Sequence, residues 1–199
     1  MNVAEAVAHL KEGDKRGFSQ TIDLIISLKN IDLKKPENRF SKDVTLPHGR
    51  GKDVTVGVIS DSIAGAIAKS AIEQMDKKGI KQLAKKYEFF VCEAPLMVFV
   101  GKVLGKYLGP RGKMPKLLLP NQNHAAVVDE LKRSVKVRIR DAPSIHVPIG
   151  TESMESAHLA ENAESVLDEV KRSLPKGDTQ IKSVMLKLTM SKPLKVDSW

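Results

Sequence analysis

The segment Thr21-Ile22-Asp23-Leu24-Ile25-Ile26-Ser27-Leu28 decides the fold of this 199-residue chain. Its even-numbered positions are all large aliphatic residues, and its odd-numbered positions are mostly polar. This two-residue period predicts a β-strand with one buried face. A second segment with the same period, QIKSVMLKLTM at 180–190, lies near the other end of the chain. We therefore expect a long half-buried strand from each end of the chain.

The segments around these strands predict an α+β domain with an antiparallel sheet. Apolar residues at helical spacing predict a short helix between Val3 and Leu10, and a long helix from Met154 to about Leu174. Val44 and Leu46 repeat the strand period over a shorter length. They predict a second strand that closes an antiparallel pair with the first.

The middle of the chain has a different hydrophobic pattern. VTVGVIS at 54–60 and EFFVCEA at 88–94 are short, nearly continuous apolar runs, which are typical of strands covered on both faces. Helices are predicted for 63–74, 80–87, 96–108 and 125–134, and VKVRIR at 135–140 follows as a further strand. Strands that alternate with helices predict a βα layer with a mainly parallel sheet over about residues 53–142.

This change of hydrophobic pattern predicts a discontinuous domain, residues 1–52 and 146–199. A second domain, residues 53–145, would be inserted between its halves. The chain would cross from one domain to the other twice. These two crossings would contain the hinge residues Pro47, Gly49, Gly51 and Pro143. Periodicity alone equally allows one continuous α/β domain.

The charge of the chain indicates a polyanionic partner. It has 33 Lys+Arg and 24 Asp+Glu, a net charge of +9, which suits nucleic acid or an acidic membrane surface. With the predicted boundaries, the middle carries +7 and the flanking segments +3 and −1. A secondary basic loop, either phosphate-facing or simply solvated, comprises Lys102, Lys106, Arg111, Lys113 and Lys116. The longest apolar stretch, 89–108, contains charges and a proline, so no membrane span is expected. No predicted helix combines a lysine-rich face with a bulky apolar one, so no membrane partner is expected either. The N-terminus does not resemble a secretory signal, so we expect a cytoplasmic protein.

The residues that carry catalysis or bind metal in other proteins do not form the required patterns here. The five histidines lack metal-ligand spacing, and Cys92 is the single cysteine. Neither GKVLGKYLGPRGK nor HGRGK satisfies a phosphate-binding fingerprint. We expect no enzyme activity, metal or cofactor. A Rossmann-type nucleotide-binding enzyme is the second hypothesis, allowed by the βα middle but without a phosphate motif.

APLMVFVGKVLGKYLGPRGKMP at 94–115 resembles the signature of the ribosomal protein L1 family, the large-subunit stalk proteins. Three further segments agree in the family's order: 15–40, 46–59 and 181–190. LPHGRGK and PENRF resemble the archaeal version. Together the matches cover nearly the whole chain.

The resemblance implies a non-enzymatic, monomeric protein that binds large-subunit rRNA, forms the mobile stalk beside the tRNA exit site and helps tRNA release. It also implies repression of translation through binding of the protein's own mRNA, and an inserted Rossmann-like domain. The RNA-binding residues carried over from the family are Lys15, Arg16, Phe18, Ser19, Gln20, Thr21, Ser183, Thr189 and Met190. Taken singly, Phe18 and Met190 would more often be core residues.

Two departures from the family pattern affect these expectations. Ser191 and Lys192 stand where relatives usually have Gly-Pro, so the close backbone approach that a glycine permits is not available there. The stretch from Asp61 to Glu88 is about twenty residues shorter than in relatives. It reads as helical, so we expect a reduced sheet without a strand between 62 and 86.

Overall fold

The structure, a computed structural model, describes residues 1–13, 16–35, 38–63, 65–119, 123–139 and 142–197. The chain divides into two compact units, one comprising residues 1–52 and 133–199 and the other residues 53–132. We call these the flanking unit and the middle unit.

The flanking unit is built on a four-stranded antiparallel sheet. Its strands are β1 (Thr21–Leu28), β7 (Ser144–Thr151), β8 (Ile181–Leu188) and β9 (Leu194–Val196), in the order β7-β1-β8-β9. β1 alternates between half-buried and buried residues along its whole length, as its sequence period predicts. Residue 28 pairs with Ile181 and residue 22 with Leu188, so the strands from the two chain ends are direct neighbours.

Two helices cover one face of this sheet. α1 (Val3–Lys11) begins with a capping box formed by Asn2 and Glu5, and α7 (Ser156–Ser173) is the longest helix among the described residues. Their apolar faces join the buried sides of the strands in one core cluster. Each fully buried Ile or Leu there contributes about 1.5–3 kcal/mol. On the other face of the sheet, the side chains of β1 and β8 are half-buried or exposed.

A separate two-stranded ribbon corrects two predictions. β2 (Ser41–Thr45) pairs antiparallel with β6 (Ser134–Arg138) and not with β1. β6 was expected in the parallel sheet, but Val135 and Val137 pack in the same core as β1. The chain therefore enters the flanking unit again at residue 133, not at 146. This boundary moves four bases, Arg133, Lys136, Arg138 and Arg140, from the middle unit to the flanking unit.

The middle unit contains a three-stranded parallel sheet in the order β3-β4-β5, formed by β3 (Val56–Ile59), β4 (Phe89–Glu93) and β5 (Lys116–Leu118). Its helices are α2 (Lys69–Glu73), α3 (Lys77–Lys86), α4 (Ala94–Val103), α5 (Gly105–Leu108) and α6 (His124–Arg133). Phe89 and Val91 pack in one cluster, whereas Phe90 and Cys92 pack in another, so β4 is covered on both faces as predicted. The mixed α/β class is confirmed. β5 was not predicted.

The short connection after β3 has the reduced form that its sequence predicts. Among the described residues between 62 and 86 there is no strand, only an isolated bridge between Ile59 and Ile67 before the helices. The predicted helix over 63–74 is confined to α2, residues 69–73.

Candidate nucleic-acid interface

Two segments that are far apart in sequence meet where β1 begins and β8 ends. The Thr21 N–H donates to Thr189 Oγ1 at 3.1 Å, and the Thr189 N–H donates to the Thr21 carbonyl at 3.1 Å. The Lys52 ammonium donates to Thr21 Oγ1 at 2.6 Å. The antiparallel pairing of β1 with β8 thus brings the two predicted RNA-binding segments together. Lys52 was not predicted, because its proximity to Thr21 depends on tertiary structure.

Gln20 has a structural position within this meeting point. Its side chain is 2% exposed, and Oε1 accepts a hydrogen bond from the Met190 N–H at 3.2 Å. Its carbonyl accepts from the Glu152 N–H at 3.0 Å. Gln20 therefore positions the backbone that carries Met190, instead of presenting its amide to solvent.

Phe18 and Met190 are exposed apolar side chains at this place. They are 52% and 63% exposed, which is unusual for side chains of this size beside a well-packed core. They border two adjoining grooves of about 470 and 400 Å³, one lined by Phe18 and the other by Met190. Both grooves are lined by Leu10, Gly13, Arg16 and Leu188. An exposed ring beside a basic side chain is suited to stacking with an RNA base next to a phosphate.

We call this place the strand-end surface, and it comprises Arg16, Phe18, Ser19, Thr21, Thr189 and Met190. Lys15 was predicted with this group, but it lies outside the described residues. At the departure from the family pattern, Ser191 forms a tight turn in which its Oγ accepts the Leu188 N–H at 2.9 Å. Asn30 is the single non-glycine residue with positive φ among those described, so Ser191 occupies the turn without backbone strain.

Ser183 lies apart from the strand-end surface. It is six residues before Thr189 on β8, which corresponds to about 20 Å along a strand. The register places it beside Ser27, and Ser27 in turn pairs with Ser144. The three serines form a row across the half-exposed face of the sheet. Ser27 and Ser144 were not predicted, since only the strand register relates them to Ser183.

Asp23 is a negative group on the same sheet face, two residues from Thr21. Burial raises its pKa, and this effect exceeds the opposing influence of Lys187, His146 and Lys52. A carboxylate at this position disfavours a phosphate nearby. The phosphate-binding part of the surface is therefore expected on the Arg16 side of Thr21.

Hinge positions differ from the prediction at one crossing. Pro47, Gly49 and Gly51 precede the crossing at residue 52, and Gly49 and Gly51 have φ of 67° and 66°. Asn162 of α7 holds this loop, because its Nδ2 donates to the Gly49 carbonyl at 2.9 Å. Pro143 does not lie at a crossing. It lies inside the flanking unit, where its carbonyl accepts the Leu28 N–H at 2.8 Å.

The predicted basic loop of the middle unit is partly structural. The Lys113 ammonium donates to the Ala84 and Tyr87 carbonyls at 3.0 and 2.8 Å, which satisfies carbonyls at the end of α3. Lys102 and Lys106 are exposed, whereas Arg111 and Lys116 are half-buried. Gly112 has a φ of 69°, which favours glycine, whereas Gly109 has an ordinary helical φ of −54°. Space still favours glycine at 109, because a Cβ there would lie 2.7 Å from the Gly105 carbonyl oxygen.

The revised boundary changes the distribution of charge. The flanking unit has 21 Lys+Arg and 16 Asp+Glu, a net charge of +5. The middle unit has 12 Lys+Arg and 8 Asp+Glu, a net charge of +4. The prediction that the middle holds most of the positive charge was therefore wrong. Charge alone does not distinguish the units as partners of RNA.

Cys92 and the residue types that bind metal do not form a reactive or metal-binding site among the described residues. Burial raises the pKa of the Cys92 thiol to about 11, so it is protonated and unreactive at neutral pH. Within the described ranges no three His, Cys, Asp or Glu side chains form a metal-binding group. No helix among the described residues is long and apolar enough to cross a membrane.

Comparison with known proteins gives consistent matches over nearly the whole chain. Residues 10–192 match the sequence profile described as "Ribosomal protein L1p/L10e family". The chain is 44% identical to "Large ribosomal subunit protein uL1" of Pyrococcus horikoshii, with 98% of this chain and 95% of that protein covered. It is 43% identical to the protein of the same name from Thermococcus kodakarensis, covering 98% and 96%. The identity with the Methanothermobacter thermautotrophicus protein is 44%, covering 98% of each.

Proposed function

The chain belongs to the ribosomal protein L1p/L10e family, and we propose that it binds large-subunit rRNA through the strand-end surface. As a member of this family it is a structural constituent of the large ribosomal subunit and is located on the cytoplasmic ribosome. The family consists of structural proteins, so the prediction that this protein is not an enzyme is confirmed. The Rossmann-type enzyme is thereby set aside.

The observation that carries the proposal is the exposure of Phe18 and Met190 beside Arg16. These two apolar side chains are more than half exposed, and Met1 is the one other exposed large apolar residue among those described in the same unit. Burial of both by a partner would recover hydrophobic free energy, and stacking on an RNA base is worth about 1–3 kcal/mol. The hydrogen bonds that join Thr21 to Thr189 hold the two sides of the surface in place before the RNA binds.

Filter binding to a large-subunit rRNA fragment tests this proposal. Phe18→Ala and Met190→Ala are each expected to weaken binding by about 5- to 100-fold, the equivalent of one stacking or packing interaction. Val98→Ala is the matched control, because Val98 is 68% exposed but belongs to the middle unit. Unchanged binding by both flanking-unit variants would contradict the proposal.

We also propose that the strand-end surface binds a helical region of the protein's own mRNA and so represses translation. A structured RNA that presents the same shape and groups would bind the same residues. The leader of that mRNA should then displace the rRNA fragment competitively, and Phe18→Ala should weaken both complexes by a similar factor. Simultaneous binding of the two RNAs to one protein would contradict this.

For the middle unit we propose a role next to tRNA at the exit site, with the protein present as a single copy on the mobile stalk. Lys102 and Lys106 are exposed, and their charges would attract a tRNA backbone in a salt-dependent way. Charge removal at both positions should slow tRNA release from ribosomes while rRNA binding by the free protein remains. Unchanged release kinetics would exclude this role.

A further inference from the structure

A pocket of about 410 Å³ lies within the middle unit, at the carboxyl ends of its parallel strands. This edge is where open parallel sheets bind ligands in general. Its walls are mainly apolar, formed by Ile63, Pro95, Leu118 and Leu119, and its polar groups are Ser62, Glu93 and His124. The volume is within the range of small-molecule sites.

The Glu93 carboxylate is held in a fixed position by the turn after β3. The Ser60 hydroxyl donates to Glu93 Oε1 at 2.6 Å, and the Ser62 hydroxyl donates to the same oxygen. Ser60 Oγ also accepts the N–H groups of Ser62 and Ile63, each at 3.0 Å, which fixes the turn itself. The bonds from Ser60 and Ser62 lower the pKa of Glu93, so the carboxylate is ionised at neutral pH.

This arrangement leaves Glu93 able to accept a bond from a ligand. A carboxylate has about four acceptor positions. Both serine hydroxyls donate to Oε1, so Oε2 is the oxygen expected to accept bonds from a ligand. A ligand must therefore bring N–H donors, and a phosphate placed beside Glu93 would be repelled.

We propose that this pocket binds an unpaired guanine base of RNA, an inference that rests on the proposed RNA-binding function. Guanine presents two adjacent donors on its Watson–Crick edge, N1–H and the N2 amino group, which can both donate to one carboxylate oxygen. Adenine and cytosine present one amino donor each, next to an acceptor, and uracil flanks its N3–H with two carbonyls. The apolar walls suit the faces of a base, and the exposed His124 ring at the start of α6 can stack on it.

The probes are seven-residue RNAs in which a central G, A or inosine is surrounded by uridine, with all-uridine RNA as the reference. Fluorescence anisotropy with the full chain should give at least about fivefold tighter binding for G than for A or all-uridine. Inosine lacks the N2 amino group, so it should lie between G and A. Amide shifts in an NMR titration should be largest at Ser62, Glu93 and Leu118. Guanosine as free nucleoside should shift the same amides, and shifts with the nucleoside but not with the RNA would overturn an RNA ligand.

Glu93→Gln should remove the preference for G, and Glu164→Gln, an exposed position on α7, should leave it unchanged. His124→Ala should reduce binding of G without an effect on the serine bonds to Glu93. This variant therefore tests the inference even if Glu93→Gln does not fold. Retained preference for G in Glu93→Gln would overturn the inference. Tighter binding of an arginine amide than of guanosine would also overturn it and would identify a peptide partner. Phe18→Ala should weaken rRNA binding but keep the preference for G, so failure of the two proposals can be distinguished.

Discussion

Replacement of Asn162 by Ala tests how the loop before the first crossing is held. Asn162 is fully buried, and its side chain makes three hydrogen bonds to backbone groups. Nδ2 donates to the carbonyls of Gly49 and Ile149, both at 2.9 Å, and Oδ1 accepts the His48 N–H at 3.1 Å. One side chain thus joins α7, β7 and the loop that carries Gly49 and Gly51.

The expected cost follows from these bonds. Each contributes about 1 kcal/mol net, and burial of the two carbonyls and one N–H without partners raises the total to about 3–5 kcal/mol. Asn162→Asp should be at least as harmful, because an oxygen would then face two carbonyls. Glu164→Ala, an exposed position on the same helix, should change stability by less than about 0.5 kcal/mol.

Urea unfolding followed through the amide resonances of Leu24 and Leu186 measures this effect. Both residues are fully buried in the sheet of the flanking unit, so their signals report that unit separately from the middle unit. A loss below about 1 kcal/mol in Asn162→Ala would refute the reasoning, because it would mean that water or the backbone replaces all three bonds.

Three further predictions concern other parts of the chain. Gly51→Ala should destabilise the flanking unit by about 2 kcal/mol or more, because φ is 66° and a Cβ would lie 2.6 Å from Thr151 Oγ1. Gly17→Ala is the control in thermal unfolding, because a Cβ at Gly17 would have nothing within 4 Å. Equal melting temperatures of the two variants would contradict this prediction. Lys113→Met should destabilise the middle unit by about 1.5–3 kcal/mol through loss of the bonds to Ala84 and Tyr87, whereas Lys102→Met should not, as urea unfolding would reveal. The raised pKa of Asp23 means that its charged form costs stability above its folded pKa, so Asp23→Asn should stabilise the flanking unit at pH 7. That gain should disappear below the ordinary value of 3.8, and a constant difference across the pH titration would be inconsistent with this cause.

Local patterns in the sequence were sufficient to predict most of the elements. The alternation in β1 and the continuous apolar run of β4 each correspond to one strand with the expected burial. The partner of β2 could not be predicted, because Val44 and Leu46 indicate a strand but not the strand with which it pairs. The same limit assigned β6 to the wrong unit and placed the second crossing at residue 146.

The candidate site shows the same division between local and long-range information. The family resemblance, and no periodicity, indicated that Phe18 and Met190 belong to one surface, and they line two grooves that share several residues. The burial of Gln20 and the use of Lys113 as a partner of α3 depend on tertiary contacts over many residues. For this reason neither the family resemblance, which included Gln20, nor the charge pattern, which included Lys113, could indicate that these side chains bond within the fold.

The central claim is that the strand-end surface recognises rRNA specifically. The lysines and arginines of the middle unit add only non-specific attraction. The most direct test measures binding to the rRNA fragment and to a helix of scrambled sequence over a range of salt concentrations. Phe18→Ala with Met190→Ala should abolish the preference for the rRNA fragment and leave the salt dependence nearly unchanged. Lys102→Gln with Lys106→Gln should keep the preference and reduce the salt slope by about 0.7–0.9 for each phosphate that the variant no longer neutralises. Loss of the preference in the lysine variant, with retention in the Phe18 and Met190 variant, would contradict the claim.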